Sequence, residues 1–583
     1  MCGIIAYLGN DNSAPYLIDG ISKLEYRGYD SCGCAFLVDG EIVVRKDSGS
    51  VSHFLNKHDV SSIVSSMGIF HTRWATTGRV CAENAHPFTD CLQSLAVVHN
   101  GVVENSTFLK SLLGEHNFTS ETDSEVICHL IEKEISNGVS GEEEAVVRVA
   151  QMLKGDSSFV VMFRNPKKFI AVKQGSSLIL AIGNNGIFVS SDVYSILNNT
   201  NKIMYLHDGD VVVVDSSGYS VHNYLHSDIK HEVVEVDLET IISDKGDFPF
   251  FMEKEIYDEL EVWKKVELES ETLSGAAKAI KQSDRIFLIG EGSSYYAAQY
   301  GSRLFREAGI SAFSLQGHEF DNYEYIVHHN DIMLFISQSG ETADLIYAMK
   351  KAKLSLKIGI INALGSEIAR NMDIVIPMNA GQEVSVAATK SFMMSLMALY
   401  SIVANIKNDV GGLKSDLKLL EMVIYNQLTP SFFVALNDTV ARLKNTPNLI
   451  LAGLGYSYII ALEGGLKMKE VAYVNVETMD LQSMKHGPLA LVSEGSCIIS
   501  VLTGEDVQAG VNLEELKTRG ATIVGISSKL LPSYDSFIRT ADAGRFTFLA
   551  PLIILQMLAY KLSLSKGINP DMPRNLAKSV TVK

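Results

Sequence analysis

The chain has 583 residues, of which 46% are apolar and 20% charged, enough for about three to four domains with sizeable cores. Its 50 lysines and arginines stand against 68 aspartates and glutamates, and the net charge of −18 excludes a nucleic-acid-binding surface while leaving room for small anions at helix N-termini. The seven cysteines are an odd number with no partner Cys/His pair at zinc spacing, which excludes a disulfide scaffold; apart from Cys2 they read as reduced, buried or incidental thiols.

The chain opens Met1-Cys2-Gly3-Ile4-Ile5. Removal of Met1 leaves Cys2 with a thiol and a free α-amine, whose ordinary pKa of about 7.7–8.0 lets it take the thiol proton near neutral pH. The N-terminus lacks the basic region and clean apolar run of a signal peptide, so a cytoplasmic protein is expected. Up to about residue 215, short strand-like runs (3–8, 35–38, 41–45, 95–98, 159–163, 169–173 and 211–214) are separated by Gly, Asn and Asp. Helical spacing appears at 14–26 and 124–135. Many strands and few helices predict stacked sheets over residues 2–215.

Residues 216–250 are polar and irregular and read as a linker, with no bilayer-spanning segment before or after it. Beyond it, strands and long helices alternate, which predicts doubly wound α/β domains. Residues 286–295 align with 449–458 at an offset of 163, and 334–341 align with 498–505. Two copies of one domain are therefore expected, at 251–415 and 416–570, followed by a tail, 571–583. The apolar run at 548–560 contains Pro551 and Gln556 and reads as a core helix.

Within the first half, His71-Thr72-Arg73-Trp74-Ala75-Thr76-Thr77-Gly78 places a cation and an indole after an apolar strand, and Val97-Val98-His99-Asn100-Gly101 ends a buried strand in a carboxamide and a flexible peptide. A thiol that hydrolyses an amide needs donors for the oxyanion, and Asn100 (side chain) and Gly101 (backbone N–H) suit that task. A free amino acid needs a cation and an anion, for which Arg73 and Asp123 are candidates. Taken singly, Asp123 equally reads as a helix cap, Arg73 as a surface ion pair and Asn100 as a turn residue.

In the second half, Ser337-Gln338-Ser339-Gly340-Glu341-Thr342 follows an apolar strand and opens a helix. It reads as a phosphate loop or as a capping box without ligand. Gly290-Glu291-Gly292-Ser293-Ser294 offers a second such turn and is no dinucleotide fingerprint. Glu463, Lys467 and Glu470 fall on one helical face, either a proton-shuttling group or an exposed ladder of ion pairs. His486, in Lys485-His486-Gly487-Pro488, is placed to assist opening of a sugar ring.

Cys2-Gly3-Ile4, Tyr26-Arg27-Gly28-Tyr29-Asp30-Ser31, His71 to Thr76, Asn84-Ala85-His86-Pro87, His99-Asn100-Gly101 and Glu121-Thr122-Asp123-Ser124 resemble, in order, the glutaminase domain of class II glutamine amidotransferases. The second-half motifs, with Val386-Ala387-Ala388-Thr389-Lys390 and residues 573–580, resemble the two sugar isomerase (SIS) domains of the glucosamine-6-phosphate synthase family. The resemblance implies an α/β multidomain protein: an N-terminal-nucleophile hydrolase αββα sandwich followed by two doubly wound SIS domains. It implies amination and isomerisation of D-fructose 6-phosphate at the expense of L-glutamine, with no cofactor and no metal. Arg73, Trp74, Thr76, Gly101 and Asp123 would hold glutamine, Trp74 also gating an ammonia passage. Ser293, Ser294, Ser337, Gln338, Ser339, Thr342, Val386, Ala387 and Glu463 would hold the sugar phosphate. Glu470 would be the enolisation base beside Lys467, Lys578 would form an imine, and His486 would act in the partner's site of a homodimer.

Thr77 stands where that family usually has His, Glu291-Gly292-Ser293-Ser294 replaces Cys-Gly-Thr-Ser, and Ala388 replaces a usual Ser. A sister amidotransferase for another keto-sugar phosphate and a non-enzymatic sugar-phosphate sensor remain as alternatives. The sensor predicts loss of Cys2, Glu470 or Lys578, and all three are present.

Overall fold

Strand Gly3–Gly9 sets the first architecture, because its side chains alternate between two apolar layers. Ile4, Ala6 and Leu8 face one core, and Ile5 and Tyr7 face another. A computed structural model describes the chain except residues 1, 237–244, 354, 445, 447–448, 505–506 and 580–583, and the side chains of 507 and 508. Met1 and the final residues of two motifs, 505 and 580, therefore lie outside the described residues. By its internal contacts the chain divides into two units, Met1–Ile242 with Ala577–Lys583, and Ser243–Leu576.

The first unit holds two antiparallel sheets. One runs Val234–Glu235, Lys202–Tyr205, Ile179–Ile182, Gly186–Ser190, Gly3–Gly9, Met67–Arg73, Ser31–Val38, Glu41–Ser48. The other runs Gly218–Asn223, Asp210–Asp215, Lys168–Val172, Ser157–Phe163, Leu95–Gly101, Phe88–Thr89. Ala96, Val98, Val160 and Met162 of the second sheet pack with Ile4, Ala6 and Ile69 of the first, so the sheets are stacked face to face. Helix Ser13–Leu24 covers the outside of the first sheet through Leu17, Ile21 and Leu24. Helices Glu125–Ser136 and Glu142–Met152 cover the outside of the second. The result is the αββα sandwich.

The stretch expected as a linker, 216–250, departs from that reading. It supplies strand Gly218–Asn223 to one sheet and Val234–Glu235 to the other, and only 237–244 lie outside the described residues. Both are edge strands with solvent-facing residues (Tyr219, Ser220, Val234, Glu235), so they carry too little apolar alternation to register in the sequence.

The second unit contains two all-parallel five-stranded sheets. The first is ordered Ala312–Gln316, Ile286–Gly290, Ile332–Ser337, Leu356–Ile361, Ile374–Pro377. The second is ordered Val476–Asp480, Leu449–Gly453, Cys497–Val501, Thr522–Ser527, Ser536–Arg539. In each, the first strand of the copy lies second in space, which creates a switch point between it and the third strand. The aligned sequence segments are these corresponding strands, so the repeat is a repeat of topology. The boundary expected between 415 and 416 falls inside helix Val410–Val423. That helix buries Leu413, Leu417 and Leu420 in a core shared by both copies, so no linker separates them.

Helix Leu549–Ser565 lies in that core and packs against helix Tyr456–Ala472. The segment Gly544–Ser565 is long and apolar enough to cross a bilayer, yet 83% of its most apolar window is buried in the protein. Helix Phe251–Val262 has no cap from Phe250; Asp571 supplies one, its two carboxylate oxygens accepting from the backbone N–H groups of Phe251 and Met252 at 2.8 Å.

Gly464 is where the Tyr456–Ala472 and Leu549–Ser565 helices approach most tightly: a Cβ there would lie 2.6 Å from Leu555 Cδ1 and 2.8 Å from Leu555 Cβ. Gly464→Ala is expected to destabilise the protein by roughly 1–3 kcal/mol through overpacking. Combining it with Leu555→Ala should cost less than the sum of the two single changes in chemical denaturation. Strict additivity would contradict this packing.

Candidate functional site

Antiparallel register brings the ends of two strands together in the first unit. Gly3 pairs with Thr72, which sets Cys2 beside Arg73 and Trp74. Only glycine fits at position 3, because a Cβ would lie 2.8 Å from Thr72 Cγ2 and 2.9 Å from Leu24 Cβ. The Trp74 backbone N–H donates to Cys2 Sγ at 3.3 Å, and Sγ lies 3.6 Å from Trp74 O. The Cys2 carbonyl accepts from Arg27 Nε and from Asn100 Nδ2, both at 3.1 Å. Burial pushes the Cys2 thiol up, opposed among its neighbours by the Trp74 N–H and the Arg73 and Arg27 cations. Arg27 is itself buried and donates to Asp192 and Ser177, an anchoring role invisible in the sequence, where it merely ends a helix.

Asn100 ends the buried strand Leu95–Gly101, with its Oδ1 lacking a partner among the described residues. Gly101 has φ +127°, and a Cβ there would meet Asp156 O at 1.8 Å, so no other residue fits. Asp123 is buried and accepts from the Val103 N–H at 2.7 Å, so it is not the helix cap that its position suggested. Arg73 is buried rather than surface-paired. Its guanidinium donates to Thr77 O, to Arg79 O at 3.4 Å and to Gly78 O at 3.5 Å. The loop it holds is fastened outside by Arg79 on Glu121 (2.8 Å) and by Asn84 on Arg79 O (2.9 Å). Thr76 and Thr77 are exposed on that loop. Trp74 is half-buried, with its ring edge-on to Tyr29 at 5.7 Å.

His71, His86 and His99 are buried close by, and the rings of His71 and His86 stack at 4.0 Å. Burial lowers the pKa of all three, that of His71 to about 3, so they are neutral at physiological pH. Among the described residues none of them hydrogen-bonds to Cys2. A histidine base is thus missing where the thiol sits, consistent with activation by the chain's own amine.

In the second unit, the turns after Ile286–Gly290 and Ile332–Ser337 flank the switch point of the first sheet. Ser293, Ser294, Gln338, Ser339 and Thr342 are half-buried there, and Ser337 is buried. Ser337 Oγ accepts from Gly340 N at 2.9 Å; Thr342 stands at the N-cap of helix Ala343–Lys351 without a side-chain cap bond, so the capping-box reading is not what forms. Val386 and Ala387 are buried, and the Val386 N–H donates to Asp571 O at 3.2 Å.

In the second copy the corresponding hydroxyls bond to each other. Ser457 Oγ lies 2.8 Å from Thr503 Oγ1 and accepts from the Thr503 N–H at 2.9 Å. Its helix Tyr456–Ala472 serves the first copy instead. Glu463 and Lys467 are fully buried, not an exposed ladder, and Lys467 Nζ lies 3.3 Å from Glu463 and 2.6 Å from Glu470. Ser293 joins the group, donating to Glu463 Oε1 at 3.0 Å and accepting from Lys467 Nζ at 3.1 Å. Burial lifts the Glu463 carboxyl to about 7, countered by Lys467. Burial also works against the Lys467 charge, but Glu463 and Glu470 outweigh it and hold the ammonium charged. Of the three, only Glu470 retains exposure, 21% of its side chain.

His486 is exposed and makes no hydrogen bond or ion pair among the described residues, so it is not gathered into this group. Lys578 is half-buried near the carboxyl end, grouped with the first unit.

A glutamine amidotransferase domain model matches residues 71–198, and a SIS domain model matches 279–404 and 442–541. The chain is 35% identical to the glutamine–fructose-6-phosphate aminotransferase (isomerizing) of Methanothermobacter thermautotrophicus over 604 aligned positions, and 36% identical to that of Chlorobaculum tepidum over 616, in both cases over the whole of each chain. A solved C-terminal domain of the Francisella tularensis glucosamine-fructose-6-phosphate aminotransferase covers 57% of the chain and all of itself, at 25% identity and a TM-score of 0.51.

The raised Glu463 carboxyl has a readable consequence. Folding favours its protonated form, so its contribution to stability is complete below its ordinary 4.5 and is lost as pH rises through about 7. Glu463→Gln is expected to remove that decline, flattening the denaturation midpoint across this window relative to the parent. A parent midpoint with the same pH slope as the variant would contradict the shift.

Proposed function

This chain belongs to the glutamine–fructose-6-phosphate aminotransferase (isomerizing) family, and we propose that it converts L-glutamine and D-fructose 6-phosphate to L-glutamate and D-glucosamine 6-phosphate, as an enzyme of amino-sugar synthesis. The observation that carries the reading is the Ser293–Glu463–Lys467–Glu470 group, built on a buried Glu463–Lys467 pair beside a phosphate-suited crevice, in a chain that also bears an N-terminal thiol.

At the first site, Cys2 without Met1 loses its proton to its own α-amine and attacks the glutamine carboxamide carbon. Asn100 and the Gly101 N–H hold the oxyanion, the carbon–nitrogen bond breaks, and the α-ammonium returns its proton to the leaving ammonia. Water then cleaves the thioester to glutamate. Arg73 takes the glutamine carboxylate by exchanging its loop carbonyls, and Asp123 takes the ammonium. Thr76 and Trp74 contribute from the loop, and Trp74 gates the passage of ammonia.

At the second site, Ser337, Gln338, Ser339, Thr342 and Ser294 bind phosphate, with Ser293, Val386 and Ala387 along the sugar. Lys578 forms an imine with C2 of the open-chain ketose and is displaced by ammonia. Glu470 then moves a proton from C1 to C2, which yields the aldose. The exposure of Glu470 supports this choice: a base must touch substrate, and Glu463 and Lys467 are sealed behind it. The protein acts as a cytoplasmic homodimer in which His486 assists ring opening in the partner's site, a reading supported by the exposure of its side chain, which has no hydrogen bond or ion pair among the described residues.

Purified protein given glutamine and fructose 6-phosphate is expected to form glutamate and glucosamine 6-phosphate in equal amounts. Glutamate released without amino sugar would overturn the proposal. Cys2→Ala should abolish glutamine-dependent synthesis and leave sugar-phosphate isomerisation intact, whereas Glu470→Gln should slow isomerisation by about 10²–10⁴-fold. Co-expression of His486→Ala with Glu470→Gln chains should restore activity, since each hybrid dimer regains one intact site; hybrids as inactive as the parents would argue against the shared site.

A further inference from the structure

Away from both sites, four side chains with metal-binding atoms converge on the outer flank of the first unit: Cys91, His116, His129 and Glu132. Three separate segments deliver them. Cys91 follows the edge strand Phe88–Thr89, His116 lies beyond helix Ser106–Leu113, and His129 and Glu132 are one turn apart on helix Glu125–Ser136. Cys91 Sγ is 3.7 Å from His116 Nδ1 and 3.6 Å from His129 Nδ1. Glu132 Oε2 is 3.1 Å from His116 Nδ1 and 3.3 Å from His129 Nδ1. All four donor atoms lie within 4.8 Å of one another.

These four separations, 3.1–3.7 Å, are close to the edges of a tetrahedron of zinc ligands. Ligands at about 2.0–2.3 Å from a zinc ion stand about 3.3–3.8 Å apart. Hydrogen bonding alone accounts poorly for the convergence. Glu132 Oε2 is approached by both imidazole Nδ1 atoms and by the Cys91 backbone N–H at 3.3 Å, more donors than the lone pairs of one oxygen accommodate. Both histidines also turn the same nitrogen, Nδ1, towards the thiol. Behind His129, Nε2 faces Glu125 Oε1 at 3.9 Å, the place where ligating histidines usually meet a carboxylate. One thiolate, two imidazoles and a carboxylate suit zinc in donor type and number.

We propose that Cys91, His116, His129 and Glu132 form a structural zinc site. Four protein ligands leave no open position for a reacting water, so its task is to hold. It ties the Glu125–Ser136 helix to the sheet edge and to the loop carrying His116. Glu125 at the head of that helix already gathers the backbone N–H groups of Thr119 and Ser120, and Asp123 lies two residues before it. Zinc would therefore fix the element that positions the ammonium end of the glutamine site. The positions 91, 116, 129 and 132 follow no zinc-motif spacing, which is why a metal-free chain was the expectation from sequence.

The test uses the full chain carrying Cys2→Ala, so that the N-terminal thiol binds no metal. After loading with Zn²⁺ and dialysis into metal-free buffer, about one zinc per chain should remain by elemental analysis. Replacement by Co²⁺ should give intense visible bands of tetrahedral cobalt and a near-ultraviolet thiolate charge-transfer band. Cys91→Ser should lose the charge-transfer band, and His116→Ala should weaken zinc retention by at least about 10–100-fold, both with native circular dichroism. Should Cys91→Ser fail to fold, the loop variant His116→Ala and the cobalt spectrum of the parent still decide. Failure of the parent to retain zinc, or retention and spectra unchanged in the variants, would overturn the proposal.

Discussion

An ammonium group sealed from water must be matched by charge from the protein itself, and Lys467 is where this chain meets that requirement. With a fully buried side chain it is placed between Glu463 and Glu470, with Ser293 reaching across from the other copy of the fold. Removing any one partner would strand a buried charge or a buried acceptor, so the positions of the two copies are fixed by electrostatics as well as by their shared apolar core. Of the three charged members only Glu470 is left within reach of solvent, and its orientation is inherited from the ion pair behind it.

The first unit solves a different problem with the same economy. Its N-terminal thiol, the nucleophile of the proposed reaction, sits just before a strand, where a chain end ordinarily frays. Here the strand is central, paired on both sides and covered on both faces. The Cys2 carbonyl is clamped by Arg27 and Asn100, and the thiol rests on the Trp74 peptide. The buried cation Arg73 is satisfied meanwhile by carbonyls of its own loop. In the proposed reaction, substrate recognition at this site is an exchange of partners for Arg73.

Much of this was legible in the chain. The thiol, the Asn100-Gly101 pair, the serine-rich turn and the helical face of Glu463, Lys467 and Glu470 are local patterns whose residue types announce their chemistry. The repeat was visible because equivalent strands keep their apolar character. What escaped was set by contacts distant in sequence. Burial decided that the Glu463–Lys467 pair is internal, and nothing in its spacing distinguishes it from an exposed ladder. Arg27 and Ser293 each reach partners more than 160 residues away, Asp192 and Glu463. The edge strands within 216–250 were lost because Tyr219, Ser220, Val234 and Glu235 face solvent, and the Cys91–His129 convergence because its members come from three segments.

The stitching of Ser457 to Thr503 bears on how this protein uses its duplicated fold. Two sheets of identical order present two crevices of the kind that receives phosphate, but the hydroxyl groups of the second are turned on each other. Duplication has therefore repeated the scaffold, while in the second copy these hydroxyls serve each other. The helix of that second copy, Tyr456–Ala472, meanwhile lends the charges of Glu463 and Lys467 to Ser293 of the first.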